Sequence, residues 1–321
     1  MIDVTALGEA LMDLTPIKLN EGTTALVPHP GGAPMNVLAM LAKLGHDTAF
    51  IGKVGQDSFG SQLKASAEAS GINTRGLILS LDFNTSLAIV HLTAEGDRSF
   101  SFYRTGCADV NLLPEDVDFE LIDDCRIFHF GSLSLTNEPV RTVTKQAVHY
   151  AREHHKIISY DPNYRPLLWK SESSAKTEML SLLPLVNLLK VSEEELTLLT
   201  EETAVEAGAV ALLNMGPELV LVTLGEAGAY FKNALGSGFI PTVAISAVDT
   251  TGCGDAFLGA FLSKFIVQQT PLKDLTPEII RPMLIYANCA GALTALKPGA
   301  IPALPSEPEI RLMTQSSIFG Q

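Results

Sequence analysis

Short apolar runs rich in β-type residues recur along this chain, and each is followed by a longer stretch with helical spacing. That alternation restricts the fold to helices packed on both faces of a mostly parallel sheet. Strands are predicted over 4–8, 48–52, 127–131, 157–161, 188–191 and 219–223, and helices over 36–44, 58–70, 138–154, 172–183, 193–200, 255–268 and 277–296. The 36–44 segment shows the logic: Val37, Met40, Leu41 and Leu44 fall on one helical face, and Gly45 ends it. The rhythm breaks at 86–104, where two alternating runs, 86–93 and 98–104, flank the turn Ala94-Glu95-Gly96-Asp97 as in a hairpin with one covered face. With the extended segment near 12–30, this hairpin predicts a small β-lid over the strand C-termini, where α/β sheets bind ligands.

With 36 acidic against 22 basic residues the formal charge is −14, which argues against a nucleic-acid or anionic-membrane surface. An anionic substrate therefore needs local basic groups. The start, Met1-Ile2-Asp3-Val4, lacks the basic and apolar regions of a signal peptide, and no apolar run approaches the roughly 20 residues of a membrane helix. A cytoplasmic location is expected. Cysteines 107, 125, 253 and 289 form no C-x-x-C pair and suggest neither a zinc site nor a disulfide framework.

Chemistry concentrates in Asp249-Thr250-Thr251-Gly252-Cys253-Gly254-Asp255-Ala256-Phe257, a turn of small residues that runs straight into a helix. Gly252, Cys253 and Gly254 offer backbone N–H groups to an anion at the positive end of that helix, and Asp255 stands beside them to accept a proton. Far upstream, Gly31-Gly32-Ala33-Pro34-Met35-Asn36 also leads into a helix. A bare Gly-rich turn explains either segment alone; the pair points to phosphoryl transfer.

In order and spacing, the segments Gly8-Glu9-Ala10-Leu11-Met12-Asp13, Gly31 to Asn36, Phe102-Tyr103-Arg104, Asp161-Pro162-Asn163-Tyr164-Arg165, Thr223-Leu224-Gly225 and Asp249 to Asp255 resemble the ribokinase-like (pfkB) family of carbohydrate kinases. Among its members the likeness is greatest to bacterial fructokinases. The resemblance implies a ribokinase-like three-layer α/β/α sandwich formed as one domain over 1–321, with a lid from about 12–30 and 86–106. It implies ATP-dependent transfer to the 6-hydroxyl of D-fructose, with Mg2+ and K+ as cofactors and a homodimer formed through the lid. The same transfer to 2-keto-3-deoxygluconate, ribose or a nucleoside stays open, as does a sugar-binding regulator without turnover. A nicotinamide dehydrogenase does not fit, because Gly8-Glu9-Ala10 is not G-x-G-x-x-G.

Residue by residue, the resemblance implies that Asp13, Gly31, Gly32, Asn36, Arg104 and Arg165 bind the sugar or the transferred phosphate. Asn36 can equally cap its helix, and Arg104 can equally be a solvated hairpin residue. Lys190, Thr223, Gly225, Gly228 and Asn288 fall on the nucleotide side, although a plain turn explains the glycines and a core position explains Asn288. Asp249 and Thr251 resemble the family's potassium loop. Two places depart from the pattern. Ser192-Glu193-Glu194-Glu195 replaces Asn-x-x-Glu, so Glu195 either orders water on magnesium or completes a capping box. Cys253 replaces alanine, and at a helix N-terminus its thiol is either activated or buried and inert.

Overall fold

The computed structural model describes residues 1–20, 23–92 and 98–319. In chain order the strands are β1 (Ile2–Leu7), β2 (Leu11–Asn20), β3 (Thr23–Gly31), β4 (Thr48–Gly55), β5 (Ile72–Ser80), β6 (Leu87–Leu92) and β7 (Arg98–Tyr103). They continue as β8 (Cys125–Gly131), β9 (Ile157–Asp161), β10 (Leu188–Ser192), β11 (Leu219–Thr223), β12 (Gly228–Asn233) and β13 (Gly236–Pro241). The helices are α1 (Ala33–Lys43), α2 (Ser58–Ala69), α3 (Phe119–Asp123), α4 (Val140–Glu153), α5 (Glu172–Ser181), α6 (Glu193–Thr200), α7 (Val205–Leu213), α8 (Cys253–Val267), α9 (Pro277–Thr294) and α10 (Glu307–Phe319).

Nine strands form one sheet in the order β13-β12-β11-β10-β9-β8-β1-β4-β5. Every pairing from β11 through to β5 is parallel; β12 and β13 join antiparallel at one edge. The strands are apolar on both faces because both faces are covered. Val4, Phe50, Ile127, Leu188 and Leu219 share a core with α1, α2, α8, α9 and α10. Leu7, Ile51, Phe128, Leu189 and Val220 share a second core with α3 through α7. This is the expected three-layer sandwich. Strand order reverses between β1 and β8, and β1, β8, β9, β10 and β11 all run parallel, so the residues following them gather at one rim.

The lid leaves the sheet after β1 and forms a second sheet in the order β3-β2-β6-β7. Met12 and Leu14 turn into the core shared with α2. Asp13 therefore lies on the opposite face, in register with His29 on β3 and Ala88 on β6, which in turn pairs with Phe102. The turn expected at 94–97 lies outside the described residues. No helix among the described residues is long and apolar enough to cross a membrane.

Helix α1 begins at Ala33, three residues before the predicted start at 36, because Pro34 fits a first helical turn where no N–H is required. Three strands are absent from the sequence reading. β5 alternates exposed Asn73 and Arg75 with buried positions, and the pair β12–β13 opens on glycines that read as turns. Helices α3, α7 and α10 are also additions.

Candidate active site

Helix α8 opens with Gly252 as N-cap in the left-handed region at φ 77, where a Cβ would stand 2.7 Å from that of Ala300. Asp255 follows on the first turn and is 6% exposed. Both of its oxygens are held: Asn36 Nδ2 on α1 donates to Oδ2 at 2.8 Å and Asn163 Nδ2 donates to Oδ1 at 3.2 Å. Burial and then the neighbouring Asp161 charge push its carboxyl up to about 6, against the pull of Asn36, Lys190 and Arg165. The two distant glycine segments thus meet through the Asn36–Asp255 bond. Asn36 Oδ1 is buried and has no partner among the described residues.

Gly31 ends β3 so close to the Asp13 carboxylate that a side chain there would collide with it. The Asp13 carboxyl is raised to about 7, mainly by burial; Arg165 opposes the shift, and Asp255 and Asp249 reinforce it. Asp13 thus feels the charges of Arg165, Asp255 and Asp249, which places the four groups near one another. Gly32 packs against the Glu9 carbonyl and lets the chain turn from the lid into α1.

Lys190 is buried in the middle of β10 and pairs with Asp161, the last residue of β9, at 2.9 Å. A Cβ on Gly254 would be 2.9 Å from its Nζ, so the ammonium lies directly behind the turn of small residues. Burial alone would depress this amine, but Asp161, Glu195 and Asp255 reverse the shift and hold it charged. Asp161 Oδ1 has no partner among the described residues. Glu195 is fully committed: Oε2 accepts from the Ser192 N–H at 2.7 Å within a capping box, and Oε1 accepts from the Tyr164 N–H at 2.6 Å.

Asp249 bridges two loops, accepting from the Thr251 and Gly299 N–H groups at 2.9 Å each. Thr223 ends β11, where its Oγ1 donates to the Val191 carbonyl at 3.3 Å, and Gly225 and Gly228 bound the short helical turn that follows. Asn288 on α9 donates to the carbonyls of Ile240 and Pro241 at 3.0 and 3.3 Å, so its amide fastens α9 to the end of β13.

Arg104 and Cys253 each carry two readings in the sequence, and the structure excludes one of each: the solvated arginine and the activated thiol. Arg104 follows β7 and is 4% exposed, not solvated; it donates to Asp109 at 2.6 Å, Thr136 at 2.7 Å and the Leu133 carbonyl at 3.0 Å. It fastens the exit of the lid, beside a pocket of about 480 Å3 lined by Phe102, Tyr103, Asn137 and Leu167. The Cys253 thiol is pushed up to about 12 by burial and then by Asp255 and Asp249, so it is not activated. Two groups went unassigned in the sequence, Asn163 and Asp161. Both stand in the quoted Asp161-Pro162-Asn163 segment, where the cationic Arg165 drew the attention.

The chain matches the profile of the pfkB family carbohydrate kinases over residues 1–307. It is 40% identical over 319 residues to Fructokinase-1 of Oryza sativa subsp. japonica, covering 98% of each chain. Its structure is similar to that of a fructokinase with bound ATP from Xylella fastidiosa, with a TM-score of 0.91, 32% identity and coverage of 98% and 99% of the two chains. A fructokinase double mutant from Vibrio cholerae O395, bound to fructose, ADP and potassium, aligns with a TM-score of 0.87 at 30% identity over 98% of both chains.

Proposed function

This chain belongs to the pfkB family of carbohydrate kinases and is an ATP-dependent sugar kinase, and on that premise we propose that it phosphorylates D-fructose at the 6-hydroxyl with Asp255 as the general base. The observation that carries the reading is the Asn36–Asp255 bond at 2.8 Å, which joins the lid-proximal glycine segment to the helix terminus and faces the Asp13 carboxylate. Asp13 accepts hydrogen bonds from sugar hydroxyls, and the unpartnered Asn36 Oδ1 accepts another. The 6-hydroxyl then lies toward Asp255.

Phosphoryl transfer of this kind has a loose transition state, so the chain's task is to position the groups and offset charge. The N–H groups of Gly252 and Gly254 receive the transferring oxygens, joined by that of Cys253, which here donates to the Thr250 carbonyl at 3.3 Å, with Lys190 as the buried cation behind them. Arg165 is exposed, its guanidinium donates among the described residues only to the Tyr164 carbonyl, and so it has donors for the moving phosphoryl. Asp255, with a carboxyl near 6, is ionised at neutral pH and takes the hydroxyl proton as the oxygen–phosphorus bond forms. Thr223, Gly225 and Gly228 border the nucleotide.

Magnesium, when bound with ATP, would supply positive charge to offset that of the phosphates. Glu195 fits it poorly because both oxygens already accept backbone N–H groups, whereas Asp161 has a spare oxygen for a magnesium-bound water. The Asp249 bridge between the loops at 249–251 and 299 suits a potassium ion held mainly by carbonyls. Exposed Ile17 and Leu19 support pairing of two copies through the lid.

The test is ADP release with ATP and a panel of fructose, ribose, a nucleoside and 2-keto-3-deoxygluconate. Fructose is expected to give the highest kcat/KM. A higher value for another acceptor overturns the substrate, and no turnover with any of them overturns the reaction.

A further inference from the structure

The loop after β9 carries Asn163, Tyr164 and Arg165 past the site with little regular structure to hold it. Asn163 sits in the left-handed region at φ 50, a conformation that a non-glycine residue keeps only when its surroundings impose it. Glu195 supplies that constraint. A capping box accounts for the bond from Oε2 to the Ser192 N–H, but not for Oε1, which reaches out of its helix to the Tyr164 N–H at 2.6 Å. The N–H it grips lies between the two side chains that matter. On one side Asn163 donates to Asp255 at 3.2 Å; on the other Arg165 offsets the Asp13 and Asp255 charges.

We propose that Glu195 is a positioning residue that acts on Asp255 through the Tyr164 N–H and the Asn163 amide, keeping the base aimed at the acceptor hydroxyl. Glu195 is 6% exposed, and each of its oxygens takes one short bond from a main-chain N–H, so α6 and the loop move as one body. A glutamine at this position can accept from only one of the two N–H groups and turns its own NH2 on the other. The inference rests on the reading of Asp255 as the base.

The experiment measures kcat against pH and magnesium for the full-length chain, for Glu195→Gln, Asn163→Gly and their double variant, and for Ser192→Ala and Asp255→Asn. Glycine keeps φ 50 without strain, so Asn163→Gly removes the amide alone. Each single variant is expected to lose about tenfold to a hundredfold in kcat, the scale of a lost hydrogen bond to a charge. Each should also move the acid limb upward, because a carboxylate that loses a donor is more easily protonated. The double variant should be no worse than the poorer single, since both cut one chain of contacts. Ser192→Ala loses only the cap hydroxyl and should keep the limb and kcat within about twofold.

An unmoved acid limb in Glu195→Gln, multiplicative losses in the double variant, or recovery of kcat with added magnesium overturns the proposal. If Glu195→Gln does not fold, as judged by its thermal transition, Glu195→Asp takes its place with the same expectation, since it keeps the charge and falls short of Tyr164. Near-normal turnover in Asp255→Asn would instead remove the base itself. A dead Asp255→Asn beside an unmoved limb in Glu195→Gln fails this inference alone.

Discussion

At the α8 end of the cleft, the Asp255 carboxylate has an amide on each oxygen and a buried lysine nearby, whereas Asp13 on the lid makes no side-chain hydrogen bond among the described residues. Both carboxyls are raised by burial, yet only one has its partners built into the protein. The difference marks which end is organised in advance. Donors aimed at a reacting group cost no reorganisation at the moment of transfer, while a buried carboxylate without donors is stabilised when the sugar brings its hydroxyls. The largest expected effect follows at the first end. Asp255→Asn keeps the size and one acceptor but cannot take a proton, so kcat should fall on the order of a thousandfold with fructose KM within a few fold. Loss confined to KM would break the contrast.

Asp13→Ala should show the opposite pattern. Removing the acceptor for two hydroxyls should raise fructose KM roughly a hundredfold while kcat changes less, as expected when ground state and transition state lose the same contacts. Initial rates over a range of fructose concentration separate the two parameters. A fall mainly in kcat would make Asp13 part of the chemistry.

Acidity sharpens the same comparison. Asp255 loses its basic form as pH falls through about 6, whereas Asp13 gains a proton and loses acceptor strength as pH falls through about 7. Fructose KM should therefore rise on acidification before kcat declines, and coincident limbs would mean that the two carboxyls titrate together.

Most of this cleft could be read from the chain because its parts are backbone devices with fixed sequence costs. Glycines at 252 and 254, a carboxylate one residue later and a helix of buried Phe257, Phe261 and Phe265 state their geometry locally. Six of the seven parallel strands were legible for a similar reason: both faces are buried, so their apolar runs are unbroken. What the sequence concealed were contacts closed by folding. Nothing adjacent to Asn163 announces that its amide meets a residue 92 positions away, and Glu195 satisfies its local capping pattern while its other oxygen reaches 31 residues back. A solvated Arg104 stayed open beside the substrate-facing reading because its partners, Asp109 and Thr136, lie beyond the hairpin. β12 and β13 were hidden by glycines, which carry no side-chain pattern.

The hinge between the two regions holds a smaller effect. Glu9 is buried just before the lid, accepts from the Ala33 N–H at 2.9 Å, and has a second oxygen without a partner among the described residues. Burial lifts its carboxyl from 4.5 to about 7, with Arg104 pulling the other way. A raised folded-state value means that protonation stabilises the fold; that gain is complete below about 4.5 and lost as pH rises through about 7. Between pH 8 and 6 the native chain should gain roughly 1 kcal/mol from this group, about 1–2 °C in Tm, and Glu9→Gln should lack that increment. An identical increment in both proteins, followed by thermal unfolding, would take Glu9 out of the hinge's pH response.

The smallest expected effect concerns Cys253, which stands in the organised end without using its chemistry. A helix N-terminus favours a thiolate by up to about 2 kcal/mol in a partly buried setting, but here burial acts first against the anion, and Asp255 and Asp249 add two like charges on the same side. A rise from the ordinary 9.0 to about 12 is about 4 kcal/mol against the anion, more than the helix end can return. Its backbone N–H, which donates to the Thr250 carbonyl at 3.3 Å, does not depend on the side chain, so Cys253→Ala should keep kcat within about twofold, and iodoacetamide at pH 8 should inactivate slowly and equally with or without ATP. Rapid inactivation that ATP prevents would mean that the helix end outweighs the carboxylates, and the anion turn would then be more electropositive than its neighbours allow.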